Sequence, residues 1–147
     1  MLDVIYEAVD DLPPGRLAKI EESRGRIRVR LDKHAPLSDV VRQLNIEAAQ
    51  VMSSAHWFQL WGDEIISRDT PSCPFRTQYV LKENAPHGVG VAEGRGTVRY
   101  YISASLTIAE FAAFMIQAAK ELLAGGCWFQ LYAGEIIDTS PEPMSKV

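Results

Sequence analysis

The sequence predicts an α+β protein built by internal duplication of one β-α-β-β (hairpin) unit, with pseudo-two-fold symmetry and helices packed on antiparallel sheet. Three observations predict it. Residues 24–66 and 95–137 align without a gap at a constant offset of 71 positions. Both copies open on an alternating strand followed by an i, i+3, i+4 apolar stripe. Both close on Trp-Phe-Gln-Leu followed three residues later by Glu-Ile-Ile.

Eleven of the 43 aligned pairs are identical: Arg24/Arg95, Gly25/Gly96, Arg28/Arg99, Ala48/Ala119, Trp57/Trp128, Phe58/Phe129, Gln59/Gln130, Leu60/Leu131, Glu64/Glu135, Ile65/Ile136 and Ile66/Ile137. The matches cluster, and two copies at this period indicate a duplicated domain rather than a solenoid. The halves are expected at 1–70 (core unit 24–66) and 71–147 (core unit 95–137), together forming one compact domain.

Residues 2–9 read as a short helix or a strand, and the Asp-Asp-Leu-Pro-Pro-Gly run at 10–15 is a break. Arg16 to Glu22 reads as a strand, with Ser23-Arg24-Gly25 as the turn of a hairpin. In the next strand Ile27, Val29 and Leu31 alternate with Arg26, Arg28 and Arg30. A helix follows, carrying Leu37, Val40, Val41, Leu44, Ala48, Val51 and Met52 on one stripe. In copy two, Val98, Tyr100 and Ile102 take the core side of the strand. Thr107-x-x-Glu110 is a capping box, and Gly125-Gly126 ends the helix.

The signature segment reads two ways. As one straight strand it places Glu64 and Glu135 beside Phe58 and Phe129, burying two carboxylates at a cost of several kcal/mol. That geometry would give a ferredoxin-like βαββαβ order. As a hairpin turning at Gly62-Asp63 and Ala133-Gly134, it sorts Phe58, Leu60 and Ile65 to a dry side. Trp57, Gln59, Trp61, Glu64 and Ile66 then share the other. The hairpin avoids the buried charge and is preferred. Residues 69–74 form a turn-rich link, 75–82 a strand, and 83–96 a glycine-rich loop. Thr139 to Val147 reads as a disordered tail.

Composition narrows function by exclusion. Hydrophobic residues are 47%, charged residues 23% and the formal net charge is −4. This is a globular profile and argues against wholesale binding of nucleic acid or an anionic membrane. No apolar run approaches the roughly 20 residues of a membrane helix, and the acidic N-terminus is unlike a secretory leader. Two cysteines, Cys73 and Cys127, occupy unmatched positions and read as free thiols in a cytoplasmic protein. A Cys73–Cys127 disulfide has no support. No metal or cofactor pattern is present.

The strongest candidate site is the duplicated aromatic–polar face: Trp57, Gln59, Trp61 and Glu64, with Trp128, Gln130, Tyr132 and Glu135. Trp and Tyr join large apolar area to a hydrogen-bonding edge, which suits interfaces. The competing reading packs these faces between the halves. A second candidate is the anion-binding ladder Arg24, Arg26, Arg28 and Arg30, whose side chains project about 7 Å apart on one strand face. Against it stands a solvated edge strand protected by charge.

Glu64 and Glu135 could also work as an acid–base pair, but turn-flanking glutamates more often face water. Cys127 lacks a base and reads as a core thiol. The glycine run at 88–94 lacks the Lys-Ser/Thr and helix of a phosphate loop. The expected function is a non-enzymatic binding or regulatory module acting through protein–protein contacts, including self-association. The alternative is a binder of a phosphate-bearing ligand or nucleic acid through the arginines.

Overall fold

The structure, a computed structural model, describes residues 1–53, 56–70 and 75–139. Cys73, the end of the link and the tail from 140 onward lie outside the described residues. The first half runs β1 (Asp3–Val9), β2 (Ala18–Ser23), β3 (Arg26–Asp32), α1 (Leu37–Met52), β4 (Trp57–Trp61) and β5 (Glu64–Ser67). The second runs β6 (Arg76–Lys82), β7 (Val89–Gly94), β8 (Thr97–Ser103), α2 (Ile108–Leu123), β9 (Trp128–Tyr132) and β10 (Glu135–Asp138). The chain is α+β; the described residues form two helices and three sheets ordered β1-β3-β2, β10-β9-β4-β5 and β6-β8-β7.

The sheets are not all antiparallel. β2 pairs with β3 as a hairpin, but β1 lies parallel to β3, and β6 lies parallel to β8. A connection long enough to pass the end of the central strand permits this in each case. Residues 10–17 are long enough to cross the end of β3, two strand spacings of about 4.8 Å, so β1 and β2 flank β3 from opposite sides. The expected loop at 83–96 also contains a strand. β7 pairs with β8 from Val89↔Ile102 to Gly94↔Thr97. Its glycines and alanine erase the alternation, and the backbone ladder of β8 supplies the order instead.

The signature segments are hairpins, so the straight-strand, ferredoxin-like arrangement does not occur. Trp61 pairs with Glu64 and Tyr132 with Glu135, leaving two-residue turns. Ala133 and Gly134 both have positive φ, 52° and 82°, the geometry of a type I′ turn, which matches strand twist without a bulge.

Each helix packs against both three-stranded sheets: α1 against β2 and β6, α2 against β1 and β7. The main core therefore lies between the halves. Val40, Val41, Leu44 and Ala48 from α1 meet Ile108, Phe111, Met115 and Ala119 from α2 in one buried cluster. Thr107 and Glu110 exchange both bonds of the capping box. Glu47 is buried on α1 and paired with Arg16 at 2.5 Å.

Asn45 covers an open edge. Its side chain donates to the Tyr79 carbonyl at 3.0 Å and accepts from the Tyr79 amide at 2.8 Å. A helix side chain thus stands in for a missing strand beside β6.

Candidate functional site

The eight residues of the aromatic–polar set divide. Trp57, Gln59, Trp128 and Gln130 are buried, Tyr132 is half-buried, and Trp61, Glu64 and Glu135 are exposed. The expected open surface is therefore turned inward over much of its area. The physical reason is that both buried indoles and the side-chain oxygens of both glutamines find partners. The Trp57 indole donates to Glu22 at 3.2 Å, and the Trp128 indole donates to Glu93 at 2.5 Å. Burial raises the pKa of Glu22, an effect the Trp57 bond offsets in part.

The glutamines reach across to the opposite half. Gln59 accepts from the Gly96 amide at 2.5 Å and donates to the Gly94 carbonyl at 3.1 Å. Gln130 accepts from the Gly25 amide at 2.9 Å. The exposed glutamates clamp the same turns, Glu135 on Arg24 at 2.5 Å and Glu64 on Arg95. At Gly25, where φ is +78°, a Cβ would lie 2.8 Å from Ile137, so only glycine fits beneath the β9–β10 hairpin. Each hairpin grips the Arg-Gly turn of the other half. Seven of the eleven identical pairs fall within the two signature hairpins, and the Arg-Gly pairs are the turns they hold.

With the Trp–Gln side inward, the opposite side of the β10-β9-β4-β5 sheet faces out. This inverts the expected dry side. Leu60 is 41% exposed, Ile65 65% and Ile136 71%; Phe58, Phe129 and Leu131 are half-buried on the same face. Cross-strand pairs Leu60↔Ile65, Phe58↔Phe129 and Leu131↔Ile136 join them into one apolar stripe. No local signal reveals this, because a period of two separates the faces without saying which is covered.

Arg26, Arg28 and Arg30 lie on a central strand, not an edge, with Arg24 in the turn before it, and carboxylates reach most of the four. Arg24 pairs with Glu135, Arg28 with Glu7 at 2.8 Å, and Arg30 with Asp11 at 2.6 Å. Arg26 is exposed and makes no ion pair among the described residues. Glu7 and Glu21 come from the flanking strands, at distances in sequence that local patterning does not relate to β3.

Between the halves lies a cavity of about 100 Å³, lined by Tyr6, Tyr79, Tyr100, Trp57, Trp128 and aliphatic side chains. The Tyr6 and Tyr79 hydroxyls are 2.8 Å apart, and the Tyr79 and Tyr100 rings stack with centroids 5.2 Å apart. Burial drives all three phenols up, Tyr79 to about 12 and Tyr6 and Tyr100 well above the ordinary value. The sequence held one sign of this trio. Tyr6 and Tyr79 sit in the strands that open each half, but at an offset of 73 rather than 71, outside the gapless alignment.

No protein-family model matches the chain, and neither does any curated protein or any solved structure. Among the described residues, no cluster of three His, Cys, Asp or Glu side chains could hold a metal ion. Among the described residues, no helix is long and apolar enough to cross a membrane. Cys127 is half-buried, and its thiol donates to the Gly125 carbonyl.

Proposed function

We propose that the chain is a non-enzymatic binding module of duplicated architecture, acting through protein–protein contact at the open face of β10-β9-β4-β5. The duplication rests on the equal spacing of β2 to β5 and β7 to β10, the matching strand orders, and the crosswise grip of hairpins on turns. A pseudo-two-fold axis then passes beside the Phe58↔Phe129 pair.

The observation that carries the function is the exposure of Leu60, Ile65 and Ile136 on one uninterrupted apolar stripe. Contiguous exposed apolar surface of this kind marks a contact site. The first occupant is a second copy of the chain. The stripe resembles its own image under the pseudo-axis, and the side chains that make it are uncharged, with Ser67 and Asp138 at its margins. Four strands of four or five residues present about 300 Å², well short of the roughly 800 Å² per partner of a standard interface. The contact is therefore weak and concentration-dependent. The anion-binding alternative draws little support, since carboxylates occupy three of the four arginines.

Sedimentation equilibrium over a range of concentrations tests this reading. The average mass should rise toward two chains with concentration, and I65K/I136K should remain monomeric with an unchanged melting temperature. A mass that stays at one chain throughout, or equal association by the variant, rejects it.

A further inference from the structure

The cavity between the halves carries an inference independent of the sheet face. We infer that it is a binding site for a neutral, apolar molecule about one ring in size that bears a single oxygen, with a simple phenol as the type.

Size comes first. About 100 Å³ exceeds what one water needs and approaches the cavity that accepts benzene in an engineered protein core. Charge comes second. No Lys, Arg, His, Asp or Glu lines the space, so a carboxylate or ammonium would enter unpaired at prohibitive cost. The walls are aromatic on several sides, where the Trp57 and Trp128 rings and the tyrosine stack offer edges and faces to a ring.

The oxygen follows from counting protons. Each phenol carries one O–H and can also accept. The Tyr6–Tyr79 pair uses one proton in its mutual bond. The wall also carries the Tyr100 and Thr77 hydroxyls, and an oxygen of the ligand would accept from the donor that the Tyr6–Tyr79 bond leaves over. Half-buried Val51, Met52, Leu122 and Leu123, in the last turns of the two helices, form the side nearest solvent.

Methyl NMR of the full chain, titrated with phenol, toluene and benzoate, tests the site. Phenol should shift the methyls of Ala48, Ala119 and Met52 saturably. Toluene should shift the same methyls more weakly, and benzoate should leave them in place. The double variant Y6F/Y79F should weaken phenol roughly fivefold, the worth of one hydrogen bond, while leaving toluene unchanged. A48L should fill the space and abolish both. Absence of a saturable phenol shift, benzoate binding as well as phenol, or unchanged phenol affinity in Y6F/Y79F overturns the assignment.

Discussion

The two three-stranded sheets share strand order and pairing, yet their outward faces are chemically different. On β1-β3-β2 the outward residues are Asp3, Ile5 and Glu7, then Arg26, Arg28 and Arg30, then Lys19 and Glu21. On β6-β8-β7 they are Arg76, Gln78, Val80 and Lys82, then Arg99 and Tyr101, then Gly90 and Ala92. The first face is dense in charge and balanced; the second is sparse, basic and free of carboxylates on these strand positions. Inward, the pairs Ile27/Val98 and Leu31/Ile102 stay aliphatic. Packing constrains the inner faces, whereas the outer ones need only avoid uncompensated like charge on neighbouring strands.

The inward exception is Tyr100, which stands where the first sheet has Val29, and it underlies the largest expected effect. A phenol held protonated by burial favours the folded state. That contribution is intact below about pH 10, the unfolded value, and is lost as pH rises toward the folded values, about 12 for Tyr79. The chain should unfold cooperatively in that interval, with phenolate absorbance from three of its five tyrosines appearing together with loss of circular dichroism. Y100V, which makes the second sheet imitate the first, should move the transition to higher pH. Ionisation of all three phenols in a still-folded chain would break the comparison.

A smaller effect separates the two glutamine clamps. Gln59 makes two bonds to the opposite turn and Gln130 one. Urea unfolding of Q59A should show a loss of about 2 kcal/mol, with about 1 kcal/mol for Q130A, since each strands a buried backbone group. Equal losses would mean that the halves depend on their clamps alike.

The smallest effect concerns the outer faces. Q78E places a carboxylate across from Arg99 and should stabilise by roughly half a kcal/mol, vanishing in high salt. E7Q removes the Arg28 partner and should lower stability slightly, with the same salt dependence.

Much of the local structure was legible. The strand at 26–32, both helices, the capping box and both signature hairpins follow from alternation, stripe spacing and turn residues. Less was legible where the order comes from a neighbour. β7 carries Gly90, Ala92 and Gly94 and shows no pattern of its own. The parallel placement of β1 depends on a link crossing the end of a sheet. The candidate residues were singled out as a repeated set, but their direction was not legible. Glu22, Glu93, Gly25 and Gly96, which make burial of Trp57, Trp128, Gln59 and Gln130 tolerable, lie about 35 to 105 residues away.

By itself, then, the amino-acid order determined which residues repeat, where the chain turns and which side chains share a face. Periodicity encodes those relations because they are set by neighbours a few residues apart. Only the tertiary structure decided which face is covered. The inward choice depends on whether distant donors and acceptors meet the buried indoles and amides. That is a matter of how the halves grip each other, and no short window of sequence contains it.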